Sequence, residues 1–207
     1  MNGIYRVLKQ SGPLILNIGD KYYCNSGRHR CNIKKYRRET NKHLARIPQL
    51  KEVDNYRQWK QLLLLPHRIA IKMQEGKWIL KNEYLWIKPN GNPNYAQDRS
   101  SPSTERIYFF VKSKKYYFDT DLARKLLPTD VILCNVESFK KHQSSFSEKL
   151  IELFIRCFSK PNHIILDPFS GSGTVLYVAK KYNRKFIGID LSKESCQLSR
   201  ERVTVSL

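Results

Sequence analysis

The sequence predicts an α/β fold built on parallel strands. Three stretches near the C-terminal end predict it most clearly: a short apolar run at 164–166, a glycine-bearing turn at 167–173, and a second apolar strand at 185–189 that ends at Asp190. Ile164, Ile165 and Leu166 make a continuous apolar run, as a strand buried on both faces requires. Asp167 and Pro168 end it. Gly171 and Gly173 permit a tight turn and let backbone approach a ligand, although a plain turn would use them equally well. A helix is expected from Val175 to Tyr182. In open α/β sheets ligands bind outside the carboxyl ends of the strands, which is where Asp167 and Asp190 fall. An acid about 20 residues beyond the glycines can accept both ribose hydroxyls of a nucleoside.

The kind of nucleoside can be narrowed. A dinucleotide turn wants Gly or Ala at the third position of GxGxxG, and Leu176 stands there. The charge of Asp167 would repel a pyrophosphate but suits a cation. S-adenosylmethionine brings an ammonium and a sulfonium and no phosphate, so it is the expected cofactor.

From the N-terminus, a helix is expected to end near Lys9, with Gly12 breaking it. A buried strand follows at 14–18, closed by Gly19 and Asp20. An irregular stretch runs from Tyr22 to about Lys60. Between Arg28 and Lys60 it carries eleven Lys or Arg against three acids. A loop this long is usually functional or unstructured, and Lys34, Lys35, Arg37 and Arg38 are candidates for holding DNA phosphates, which position a duplex without reading it. A short helix at 69–74 and an aromatic, alternating strand at 78–87 come next. A Pro/Asn/Ser-rich loop at 88–104 offers Asn90 and Arg99 as candidate base contacts. A return strand is expected at 107–111. Tyr116, Tyr117 and Phe118 read either as base-stacking or as packing aromatics. Phe146, Leu150, Leu153, Phe154 and Cys157 recur at three and four residues, the stripe of a helix facing a sheet. Ser145 or Ser147 would cap it, and Glu148 would complete a capping box if Ser145 is the cap.

Lys and Arg total 38 against 18 acids, a net charge of +20. That balance suits a polyanion, and it also suits a lysine-rich coding bias. Five cysteines at irregular spacing argue against a disulfide framework. Cys24, His29, Cys31 and His43 match no common zinc spacing, so no metal is expected. No apolar run reaches the roughly 20 residues of a membrane span. The N-terminus lacks the apolar centre of a signal peptide, so a cytoplasmic protein is expected.

DPFSGSGT (167–174) followed by RKFIGIDL (184–191) resembles motifs one and two of the DNA amino-methyltransferases, which methylate exocyclic amines of cytosine or adenine. The resemblance covers most of the chain: 6–23 resembles their segment after the catalytic strand, 65–93 their helix and first hairpin strand, 105–119 the second hairpin strand, and 142–155 the helix before motif one. The cofactor motif lies last, as in the permuted subclass. The resemblance implies a Rossmann-like class I S-adenosylmethionine-dependent methyltransferase fold in permuted order, incomplete at the N-terminus. It implies one partial domain over 1–207, with 24–60 a basic insertion and 142–207 the cofactor-binding region. Asp167, Phe169, Gly171, Gly173, Thr174 and Asp190 would form the cofactor site, with His142, Ser145 and Phe146 helping to hold its methionine end. Double-stranded DNA is the implied substrate, and LNIGD (16–20) leans toward cytosine N4 over adenine N6. The family places an (Asp/Ser/Asn)-Pro-Pro-(Tyr/Phe) loop against the target amine. This chain contains no Pro-Pro, so no residue is assigned as catalytic. The strand bearing that loop would lie between 14–18 and 163–166. Its absence leaves three outcomes: the neighbours pair directly, a partner chain supplies the strand, or the chain is part of an interrupted whole.

Overall fold

The computed structural model describes residues 2–23, 60–91, 96–139, 142–145 and 147–205. In order come α1 (Asn2–Val7), β1 (Pro13–Ile18), α2 (Leu65–Gln74), β2 (Ile79–Ile87), β3 (Thr104–Val111), α3 (Thr120–Leu126) and β4 (Val131–Leu133). They are followed by β5 (Glu137–Phe139), β6 (His142–Ser145), α4 (Glu148–Phe158), β7 (Ile164–Asp167), α5 (Thr174–Lys181), β8 (Lys185–Gly188) and α6 (Lys193–Val205).

The larger sheet has the order β1-β3-β2-β4. β3 pairs antiparallel with both β1 and β2, and β4 joins β2 in parallel. Successive side chains of a strand face opposite ways, and β3 is apolar on both. Ile107, Phe109 and Val111 pack with Leu150, Phe154, Cys157 and Phe158 of α4 and with Ala123 of α3. Tyr108 and Phe110 pack with Ala70, Met73 and Trp78, with Ile4 and Tyr5 of α1 alongside. The result is three layers with β3 at the centre. Phe109 is a hub, with its ring 4.7 Å from Phe158 and 5.4 Å from Tyr116. Phe118 stacks on it at 6.1 Å, so Tyr116 and Phe118 act in packing.

A second, parallel sheet holds β7 and β8 in the register Ile164↔Lys185 to Asp167↔Gly188. Among the described residues no ladder joins it to the larger sheet, and β1 and β7 do not pair. Direct pairing of these two strands, one of the three outcomes expected for the absent strand, is therefore not what the described chain does.

Two expectations need correction. The stretch 142–145 is strand β6, paired antiparallel with β5, and not the first turn of the helix. The Ser144-Ser145 pair competes for backbone hydrogen bonds and disfavours a helix there, and the helix starts at Glu148. The N-cap of α4 is Ser147, in an extended conformation, with no side-chain capping bond, so no capping box starts at Ser145. Helix α3 was not anticipated. Its signal was Asp119, whose carboxylate accepts the Leu122 N–H at 3.0 Å as an N-cap.

Candidate functional site

The site grows out of the β7–β8 pairing. Asp167 ends β7, and its Oδ1 accepts the Phe169 N–H at 3.1 Å. Burial pushes the Asp167 carboxyl above the usual aspartate range. The Phe169 N–H bond works against that shift, and the charge of Asp190 adds to it. The two acids therefore sense one another across the strand ends. The turn is stitched to β8 by Ser170, whose N–H donates to the Ile189 carbonyl at 2.9 Å.

Both glycines stand at positive φ, Gly171 at 49° and Gly173 at 79°, where a side chain is strained. They differ in surroundings. A Cβ on Gly171 would meet only the Phe169 carbonyl at 3.9 Å, so the space above it is open. A Cβ on Gly173 would lie 2.8 Å from Ser199 Oγ, so α6 presses on the turn there. The Gly171 N–H donates to Asp190 Oδ2 at 2.9 Å, and the Ser192 N–H donates to Asp190 Oδ1 at 2.9 Å. A carboxylate has about four acceptor sites, so Asp190 keeps capacity for a ligand while locked in place. Phe169 stands 82% exposed beside it.

Leu176, the residue that departs from the dinucleotide pattern, is explained by Gly188. A Cβ at 188 would lie 2.4 Å from Leu176 Cδ1. The close helix–strand approach that a third glycine on the helix would allow is achieved here by a glycine on the strand.

Thr174 opens α5 and is buried. Its Oγ1 accepts from Arg202 Nη1 at 2.9 Å, and Arg202 Nη2 donates to Glu148 Oε1 at 2.8 Å. Arg202, only 6% exposed, thus ties α6 to the first residues of α4 and α5. Sequence reasoning missed this network. A basic residue near the end of an amphipathic helix looks like a solvated one until the fold shows what lies opposite.

His142 and Ser145 lie on β6. Phe146 lies outside the described residues, as do Lys34, Lys35, Arg37 and Arg38. The two ends of the 24–59 stretch are closed by a short ladder: the Tyr23 N–H donates to the Gln61 carbonyl at 2.7 Å, and the Lys60 N–H to the Tyr23 carbonyl at 2.9 Å. Lys60 pairs with Asp98 at 2.6 Å, and Asp98 with Arg99 at 2.8 Å. The Arg99 guanidinium also lies 3.9 Å from the centre of the Tyr22 ring. Arg99 thereby clamps the 88–104 loop to the root of the basic stretch. Asn90 donates to the Val136 carbonyl at 2.9 Å and accepts the Val136 N–H at 2.7 Å, so its amide spans two loops. Among the described residues no group of three or more His, Cys, Asp or Glu could hold a metal, and no helix is long and apolar enough to cross a membrane.

A parallel strand–glycine turn–helix–strand unit with an acid at each strand end, beside a mixed sheet covered on both faces, defines an α/β domain of the methyltransferase type. The chain belongs to the DNA methylase family, which it matches over residues 1–201. It is 34% identical over 211 residues to the type II methyltransferase M.XycI of Xanthomonas campestris pv. cyanopsidis, covering 97% of this chain and 67% of that protein. It is 33% identical over 207 residues to the type II methyltransferase M.Cfr9I of Citrobacter freundii, covering 96% and 67%. The chain thus spans about two thirds of the length of these relatives. Among solved structures, the cytosine-N4-specific PvuII DNA methyltransferase superposes with a TM-score of 0.70 at 20% identity, covering 94% of this chain and 64% of that one. The M1.HpyAVI–SAM complex superposes at 0.62 with 24% identity, covering 97% and 79%.

Gly188→Ala forces Cβ into Leu176. The expected cost is about 1–3 kcal/mol, typical of overpacking, read as a lower urea midpoint with an unchanged m-value. Gly171→Ala, with open space at its Cβ, should suffer only the smaller cost of its backbone angle.

Proposed function

We propose that this chain is the cofactor-binding and DNA-handling portion of a DNA methyltransferase that takes its methyl group from S-adenosylmethionine and delivers it to an exocyclic base amine, cytosine N4 in preference to adenine N6. The observation that carries the reading is the placement of Asp167 and Asp190 together at the ends of β7 and β8, on either side of the glycine turn. The residues fit the cofactor in chemistry. Asp167 is a poorly solvated carboxylate, a group that gains from a cation such as the methionine ammonium. Gly171 leaves its Cβ position open. Asp190 retains acceptor capacity for ribose hydroxyls, and Phe169 offers an exposed ring. Thr174 serves indirectly, since its hydroxyl is held by Arg202.

When bound, the cofactor supplies an electrophilic methyl group on a sulfonium. The chain's own part is to hold that group at the strand ends and to hold DNA nearby. The target base must leave the stack to reach it. A net charge of +20 supports phosphate binding, with Lys34, Lys35, Arg37 and Arg38 of the 24–60 stretch as the proposed clamp. Asn90 and Arg99, in the 88–104 loop, are the proposed further DNA contacts. Support for cytosine N4 comes from the LNIGD segment, with PvuII methyltransferase as the fold neighbour of that specificity. A role in restriction–modification follows the type II relatives. A second reading, a catalytically incomplete subunit that needs a partner to supply the amine-accepting loop, is favoured by one observation: the chain has no Pro-Pro segment.

Calorimetric titration with S-adenosylhomocysteine tests the site. Asp190→Ala should weaken binding at least about tenfold, and equal affinity would remove Asp190 from the cofactor. Nucleosides recovered from methylated DNA would separate N4-methylcytosine from N6-methyladenine, and efficient methyl transfer by the purified chain alone would overturn the second reading.

The raised pKa of Asp167 gives a test with a defined sign. Only the ionised acid attracts the ammonium. Affinity for S-adenosylhomocysteine should therefore fall as pH drops through the folded-state pKa of Asp167, starting above the ordinary value of 3.8. In the ligand-free chain the same group has the opposite effect. Its folded pKa is the higher one, so its contribution to stability is lost as pH rises from the unfolded value through the folded one. Asp167→Asn should bind weakly and flatten both profiles across that window.

Neutralising Lys34, Lys35, Arg37 and Arg38 together should reduce the slope of log affinity against log salt for duplex DNA, by about 0.9 for each phosphate that the chain no longer neutralises. An unchanged slope counts these four residues out.

A further inference from the structure

Helix α5 starts directly after the glycine turn, and α4 starts directly after the 142–146 stretch that carries candidate cofactor contacts. Neither start is held by its own cap. Ser147 is the N-cap of α4 and Gly173 that of α5, and neither makes a side-chain capping bond. The first turn of a helix leaves backbone donors without partners inside the helix, so such starts need another anchor. The buried apolar contacts between these helices, Ile155 with Val178 and Ala179, lie about one to two turns further along. They join the bodies of the helices and leave the starts to be placed by something else.

Arg202 reaches both starts from α6. Its partners Thr174 and Glu148 are the first residues of α5 and α4. The guanidinium also lies 5.6 Å from the centre of the Tyr177 ring, one turn along α5. Stability alone does not favour an arginine here. A buried ion pair is often no better for stability than apolar residues of the same volume, and a cation beside two helix starts meets the positive end of each macrodipole. What a guanidinium supplies is geometry, because its donors form a rigid planar fork.

We propose that Arg202 is a positioning residue for the cofactor: by holding Thr174 and Glu148 at one separation, it sets where the glycine turn lies relative to the start of α4. It acts through these two residues and does not touch the ligand. Without the fork the two starts move independently, and the ligand must order them as it binds, which weakens affinity. The inference deepens the reading of the cofactor site given above and rests on it.

The test is calorimetric titration of the 207-residue chain with S-adenosylhomocysteine, at a temperature where every variant is folded, beside thermal unfolding of each. Arg202→Met should weaken binding at least about tenfold while its melting temperature moves by no more than about 4 °C. Arg202→Lys should fall between it and the wild type, since an ammonium lacks the fork. Thr174→Ser keeps the accepting hydroxyl and should bind as the wild type does, whereas Thr174→Val should bind more weakly. Added to Arg202→Met, Thr174→Val should cost nothing further, because both remove one link. Equal affinity in Arg202→Met, an additive double variant, or loss of cooperative folding in Arg202→Met would each overturn the positioning role. Binding by the wild type that Arg202→Met matches sinks this role and spares the cofactor site. Absence of binding by the wild type sinks both.

Discussion

The pairing of β7 with β8 is the constraint on which the site depends. Four residue pairs in parallel register bring Asp167 beside Gly188. Two residues further on, Asp190 then reaches back to take the Gly171 N–H. No part of this is local. The acids are separated by 23 positions, and a slip of one residue would turn every side chain of β8 to the other face. Leu176 guards the register. Its side chain occupies the volume that a β-carbon at position 188 would need, so glycine is favoured there, and only one alignment presents it.

The turn is held from behind as well. One face of α6 presents Cys196, Ser199 and Arg202, spaced three apart. Cys196 Sγ lies 3.6 Å from the Asp190 carbonyl, Ser199 presses on Gly173, and Arg202 holds Thr174. Arg202 also bonds Glu148 at the start of α4. A buried guanidinium is costly unless its donors are matched, and here a hydroxyl and a carboxylate from two different helices match them. The arrangement makes the glycine turn a rigid object, which is what a ligand cradle requires if binding is not to spend its energy on ordering a loop.

Much of this was legible in the sequence, and the limits are physical. The strand at 164–166, the glycines, the helix after them and the acid at 190 are local patterns with strong periodicity or punctuation, and they fell within a residue or two of their expected places. The central strand was legible for the same reason, since an aromatic run such as 107–111 has few other uses. The Leu176–Gly188 exchange and the Arg202 network were not legible, because each joins residues far apart in sequence through volume or charge complementarity that no single segment displays. The stretch 142–145 failed differently. A resemblance carried a helix back past Ser147, while Ser144 and Ser145 disfavour one locally. The local chemistry was the better guide.

Helix α4 explains how the two sheets act as one molecule. It is apolar on more than one side. Leu150, Phe154, Cys157 and Phe158 enter the core under the larger sheet, whereas Ile151 and Ile155 join the small cluster under β7, with Val178 and Ala179. The larger sheet has helices on both faces and a central strand that is almost wholly buried. Among the described residues the smaller one has two short strands and a single covered face, and two-stranded elements are marginal alone. The cofactor cradle is therefore the weaker part of the fold, borrowing its rigidity from α4 in front and α6 behind. Anything that covers its bare face adds apolar burial where the structure has least of it, at roughly 25 cal/mol per Å².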